Sequence, residues 1–122
     1  MPKTILVVDD SVMILRIVGQ IIKELGYNVL LAQNGEIGYN FAKDSRPDLV
    51  IMDIEMPVMD GIEATARITS DEATASIPVV MFTSLGREED KQNAIEAGCS
   101  GFLNKPVCKE ELHDAIKKFI GE

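Results

Sequence analysis

No stretch of these 122 residues approaches the roughly 20 consecutive apolar residues of a membrane span. Met1-Pro2-Lys3-Thr4 runs straight into Ile5-Leu6-Val7-Val8 and then charge, without the apolar core or cleavage site of a secretory leader, so a cytoplasmic protein is expected. Positive charge is scarce: 12 Lys and Arg face 20 Asp and Glu, a formal net charge of −8. That excess repels phosphate backbones and anionic lipid heads, and no basic patch offsets it, because the pair Lys117-Lys118 suits a helix C-terminus better than a ligand. Direct binding to nucleic acid or to a membrane surface is therefore not expected. The two cysteines, Cys99 and Cys108, are too few for a metal quartet and match no zinc or thioredoxin-type spacing. They read as reduced thiols packed as small hydrophobes. The single histidine, His113, lies off the apolar stripe of the last helical pattern and reads as a solvated surface residue rather than a phosphate carrier. Linker-like runs, low-complexity stretches and fixed-period repeats are also missing, and residues 1–122 read as one domain.

What is present is an alternation of hydrophobic patterns. Short apolar runs occur at Ile5-Leu6-Val7-Val8, Val29-Leu30-Leu31-Ala32, Leu49-Val50-Ile51-Met52, Pro78-Val79-Val80-Met81-Phe82 and Gly101-Phe102-Leu103. Runs apolar at every position suit strands buried on both faces, as in a parallel sheet. Between them lie helical patterns. The first puts Ile14, Ile17, Val18, Ile21, Ile22 and Leu25 on one broad face, with Ser11 placed to cap its start and Gly26 its end. The second keeps Ile37, Phe41 and Ala42 together, and the third Ile62, Ala66 and Thr69. The fourth, Arg87 to Ala97, offers only Ala94, Ile95 and Ala97 and should be the least firmly docked. The last repeats at Leu112, Ala115, Ile116, Phe119 and Ile120. Five strands alternating with five helices predict an α/β fold, a doubly wound parallel sheet with helices on both faces. Ligands in such sheets bind beyond the carboxyl ends of the strands.

The residues at those ends carry the chemistry. Asp9-Asp10 follows the first run, Asp53 the third, Thr83-Ser84 the fourth and Lys105-Pro106 the fifth, whereas Gln33-Asn34-Gly35 after the second reads as a turn. With strand order 2-1-3-4-5 the first and third strands are neighbours and three carboxylates share one crevice. Two carboxylates about 4 Å apart repel by about 4 kcal/mol at an effective dielectric near 20, so the group calls for a cation. A few hard oxygen ligands open to solvent point to Mg²⁺. Thr83 and Lys105 on the far side suit a tetrahedral anion, which suggests phosphoryl chemistry with a carboxylate acceptor.

Val7-Val8-Asp9-Asp10-Ser11, Asp53-Ile54-Glu55-Met56-Pro57-Val58-Met59-Asp60-Gly61, Phe82-Thr83-Ser84 and Phe102-Leu103-Asn104-Lys105-Pro106 stand in this order over essentially the whole chain. Together they resemble the receiver domain of bacterial two-component response regulators, of the stand-alone, chemotaxis-regulator type. The flavodoxin-like order 2-1-3-4-5 belongs partly to that resemblance, since the chemotaxis regulator is itself a standard instance of it. The resemblance implies that Asp53 accepts a phosphoryl group from a sensor histidine kinase or a phosphotransfer protein. It implies that Asp9, Asp10, Asp53 and the backbone carbonyl of Glu55 hold Mg²⁺, Asp9 partly through water. Lys105 would pair with one phosphoryl oxygen and Thr83 would swing to another. Phe102 stands at the family's aromatic switch position, as Phe rather than Tyr, and is either such a switch or permanent core. Pro106 falls where the family has a cis peptide. Glu55, Ser84 and Leu85 would tune access of water and donor to the acceptor.

The resemblance thus describes a signalling switch rather than an enzyme. Its output would be a changed affinity for a downstream protein at the face of the fourth and fifth strands and helices, by a monomer or a phosphorylation-dependent dimer. No residues are left over for an output domain, so either a single-domain regulator or the receiver of a longer protein is expected. Asp60-Gly61 and Pro57 read as turn and loop residues, and the six methionines as core filler. A phosphatase using Asp9 as nucleophile would want a second acid where Ser11 stands, and a flavin carrier would not place Asp9-Asp10-Ser11 against a flavin phosphate.

Overall fold

The computed structural model describes residues 2–84 and 87–121. Strands β1 (Thr4–Val8), β2 (Asn28–Ala32), β3 (Leu49–Asp53), β4 (Val79–Thr83) and β5 (Gly101–Asn104) alternate with helices α1 (Val12–Glu24), α2 (Gly35–Ser45), α3 (Gly61–Ser70), α4 (Glu88–Ala97) and α5 (Lys109–Ile120). The five strands form one parallel sheet in the order β2-β1-β3-β4-β5. Alternate residues of each inner strand enter opposite cores, which is why those runs are apolar throughout. Leu6, Val8, Val50, Met52, Val79 and Met81 meet α2, α3 and α4. Ile5, Val7, Leu49, Ile51, Val80 and Phe82 meet α1 and α5.

The edge strands depart from the expectation of burial on both faces. Leu31 of β2 is exposed, and no residue of β5 is fully buried, because each of these strands has a neighbour on one side only. In α1 the inward face is Leu15, Val18 and Ile22, while Ile17 is exposed with Val12 and Met13. In α2 Ile37 is exposed, and Gly35, Gly38 and Ala42 form the buried side. In α3 the buried side is Gly61, Ala64, Thr65 and Ile68, and Ala66 faces solvent. In α2, and in α3 beside Ile68, small residues pack closest to the sheet, so large apolar side chains do not by themselves mark the inward side there. His113 is half-buried, edge-on to Tyr27, rather than fully solvated. Both cysteines are free thiols, Cys99 half-buried and Cys108 exposed.

Side chains of Ser11, Asn34 and Asp60 cap α1, α2 and α3, each accepting from a backbone N–H three residues on. Helix α4 has no such cap and buries Ala94 alone, which makes it the most thinly attached helix, as its composition predicts. Its far end is held by α3, where the Thr69 hydroxyl donates to the Ala97 carbonyl at 2.6 Å. No helix among the described residues is long and apolar enough to cross a membrane.

Candidate functional site

Parallel register sets the site. Val8 lies opposite Met52 and Asp53 opposite Phe82, while Thr83 pairs with Asn104, so Asp9, Asp53, Thr83 and Lys105 reach one level at the carboxyl edge. The backbone closes the arrangement, with Asp9 N–H donating to Ala32 and Lys105 N–H to Thr83. Asp10, Asp53, Glu55, Thr83, Ser84 and Lys105 line a crevice of about 250 Å³ there.

Asp9 lies beneath it, fully buried. Its Oδ1 accepts from the Ser11 backbone N–H at 2.9 Å and its Oδ2 sits 2.8 Å from Lys105 Nζ. Both oxygens are engaged and turned away from solvent, which argues against Asp9 as an attacking nucleophile. Asp53 is 7% exposed, and its Oδ1 lies 3.2 Å from the same ammonium. Burial, then the charge of Asp9, push the Asp53 carboxyl up to about 6, against the opposing pull of Lys105. For Lys105 burial works against the charge, but the hydrogen bond to Asp9 and the fields of both carboxylates outweigh it and raise its pKa. The ammonium also stands 5.0 Å from the centre of the Phe82 ring, a favourable cation–π contact.

Asp9, Asp10 and Asp53 can each offer one carboxylate oxygen within 4.8 Å of the others. Ligand oxygens around one octahedral Mg²⁺ are separated by about 3 to 4 Å, so small side-chain adjustments suffice, and an all-oxygen anionic set suits this hard cation. The Glu55 side chain stands outside this trio, exposed and paired with Arg87. The ring of Phe102 is half-buried against the core that includes Ala94 of α4. The peptide bond between Lys105 and Pro106 is cis. Leu85 lies outside the described residues.

Three features of the site escape a reading of strand ends. Phe82 supports the lysine, yet as an apolar strand residue it carries no mark of that role. Gly61, read as a turn signal, is packed so closely that an added Cβ would lie 1.8 Å from the Asp53 carbonyl oxygen, and its N–H donates to the Ile54 carbonyl. Asp90, on the first turn of α4, lines the crevice opposite Glu55. Beside Lys105, the side chains of Ile14, Ile17, Phe82, Pro106 and Val107 frame a separate apolar cavity of about 270 Å³.

Known proteins resemble this chain in sequence and fold. Residues 5–117 match the response regulator receiver domain. The chain is 41% identical over 120 residues to a chemotaxis protein CheY of Halobacterium salinarum, covering 98% of each, and 29% identical over 122 residues to the polar-differentiation response regulator DivK of Brucella anthropi, covering 100% of this chain and 99% of that one. Among solved structures, the receiver domain of a sensor histidine kinase from Pseudomonas aeruginosa, which has a magnesium ion coordinated in its active-site cleft, superposes with a TM-score of 0.93 at 30% identity over 100% of both chains. With the 2-1-3-4-5 sheet, the acidic crevice at its carboxyl edge and these likenesses over nearly its whole length, the chain belongs to the response regulator receiver domain family of two-component signalling.

Proposed function

We propose that Asp53 is the phosphoacceptor and that its phosphorylation switches the binding of a downstream protein. The observation that carries this reading is the Asp53 carboxylate at the crevice floor, with Lys105 at 3.2 Å and Asp10 and Thr83 around it. A carboxylate oxygen of Asp53 attacks the phosphorus of a phosphohistidine on a sensor kinase or phosphotransfer protein. The P–N bond breaks, its electron pair leaves with the imidazole, and an acyl phosphate forms on Asp53. Asp9, Asp10, Asp53 and the Glu55 backbone carbonyl would hold Mg²⁺, which when bound would supply neutralisation of the phosphoryl charge. The Lys105 ammonium moves from the Asp53 oxygen to a phosphoryl oxygen. The Thr83 hydroxyl donates to another.

Ser84 is exposed and small at the crevice rim, which keeps the acceptor reachable by a bulky donor. The apolar cavity between α1 and Pro106-Val107 lies beside it, so a donor carrying its phosphohistidine on an apolar surface buries that surface as it reaches Asp53. Thr83, drawn toward the phosphoryl group, opens space at β4 into which the Phe102 ring turns. Helix α4, attached through Ala94 and Thr69, is the element that yields, and the β4-α4-β5-α5 face is the surface the target reads. Glu55 and Leu85 set the lifetime of the phosphorylated state through water access. No separate substrate is turned over, so the chain is a switch and not an enzyme, working in the cytoplasm where such kinases present their phosphohistidines.

Incubation with acetyl phosphate and Mg²⁺ tests the reading by intact mass. Gain of one phosphoryl group, lost on chelation of Mg²⁺ and in Asp53→Asn, is the expected result. Equal gain by Asp53→Asn would remove the role from Asp53.

A further inference from the structure

Glu55 and Asp90 line the crevice with Asp10 and Asp53, although the proposed transfer uses neither carboxylate. Arg87 reaches both of them. Its Nη2 lies 3.4 Å from Glu55 Oε1, in the loop after β3, and its Nε 3.8 Å from Asp90 Oδ2, in the first turn of α4. One guanidinium therefore ties the two lips of the crevice. Helix formation does not explain a cation at this position. Arg87 occupies the N-cap of α4, makes no side-chain cap and stands at the positive end of the helix dipole, where the acids Glu88, Glu89 and Asp90 are favourable and an arginine is not. Fold stability does not explain it either, since the Arg87 and Glu55 side chains are 65% and 63% exposed and pairs of this kind contribute little. What the position does serve is the charge of the crevice. Asp9, Asp10, Asp53, Glu55 and Asp90 set five carboxylates around a route that a phosphoryl dianion must enter, against Lys105 inside and Arg87 at the mouth.

We propose that Arg87 is a positioning residue that sets the charge balance of the crevice: by pairing with Glu55 and Asp90 it masks both carboxylates from an incoming phosphoryl group and, by the same charge, restrains capture of a divalent cation. The phosphoryl half of this inference rests on Asp53 as acceptor, whereas the cation half does not. Removing one positive charge has opposite effects on an anion and on a cation. Loss of packing at α4 would weaken the handling of both.

The test compares wild type, Arg87→Gln, Glu55→Gln and the double variant. Mg²⁺ affinity is measured by calorimetry, and the rate of mass gain is followed with acetyl phosphate and with phosphoramidate, whose ammonium group cancels one charge. For a single solvent-screened charge at the crevice mouth, the expected changes in Arg87→Gln are roughly two- to threefold: tighter Mg²⁺ binding and slower reaction with acetyl phosphate at saturating Mg²⁺. The loss is smaller with phosphoramidate, fades toward 1 M salt, where the Debye length is about 3 Å, and is largely recovered in the double variant. A parallel fall of Mg²⁺ affinity and rate, an effect indifferent to salt, or no change in either quantity would overturn the proposal. Should wild type take no phosphoryl group from either donor, Asp53 fails as acceptor. The Mg²⁺ titration then decides the role of Arg87 alone, tighter binding upholding the charge balance and unchanged or weaker binding refuting it.

Discussion

Burial and the charge of Asp9 lift the Asp53 carboxyl to about 6, so between pH 4 and 6 the folded protein holds a proton that the unfolded chain, near 3.8, has released. The folded state binds more protons in that window, so stability falls as pH rises through it, and the ionised Asp53 is a burden at neutral pH. In chelator-containing buffer at pH 7, Asp53→Asn should stabilise the protein by about 2 kcal/mol in urea unfolding, an advantage that vanishes below about pH 4 and shrinks when Mg²⁺ is added. Lys105 has the opposite sign. Its ammonium is the partner of the fully buried Asp9, so Lys105→Met should cost about 3 kcal/mol in the same buffer, with Mg²⁺ recovering part of the loss by taking over the carboxylates. Asp9, Asp10, Asp53, Thr83 and Lys105 were legible in the sequence because each ends or follows an apolar run, and parallel strands bring such ends to one edge. Arg87 and Asp90 were not, because nothing in a polar helix of low periodicity tells which turn faces the crevice.

Helices α3 and α4 hold the site from opposite sides with very different tightness. Helix α3 starts at Gly61, against the carbonyl of Asp53 itself. Gly61→Ala should therefore destabilise by about 2 kcal/mol or more and weaken Mg²⁺ binding together, since the added methyl displaces the acceptor backbone, and urea unfolding with a Mg²⁺ titration reads both. Helix α4, with one buried residue and no side-chain cap, should show the fastest amide exchange of the five helices. Exchange as slow as in α1 would remove it as the element that yields. The weak docking of α4 was legible because so few of its residues are apolar. The inward face of α1 is legible except at Ile17 and Leu15, because apolar residues run nearly all round that helix, whereas α3 turns Ala64 and Thr65 to the sheet and Ala66 to solvent, so its small side chains leave no stripe to follow.

Across the whole molecule, the alternation of apolar runs with helical patterns determines a parallel sheet with helices on both faces, and the observed cores divide that way, α2, α3 and α4 against α1 and α5. The strand order is not contained in periodicity and came through motif resemblance, because hydrophobic pattern says which strands are buried and not which are neighbours. That order makes β1 and β3 adjacent and so gathers Asp9, Asp10 and Asp53 into one group able to hold a cation. The central claim is that, of these three carboxylates, Asp53 takes the phosphoryl group. Borohydride reduction after treatment with acetyl phosphate and Mg²⁺ tests it most directly, because it converts an aspartyl phosphate to homoserine and peptide sequencing by mass then locates the modified position. Homoserine at position 53 alone is the expected result; homoserine at position 9 or 10, with Asp53 unmodified, would contradict it.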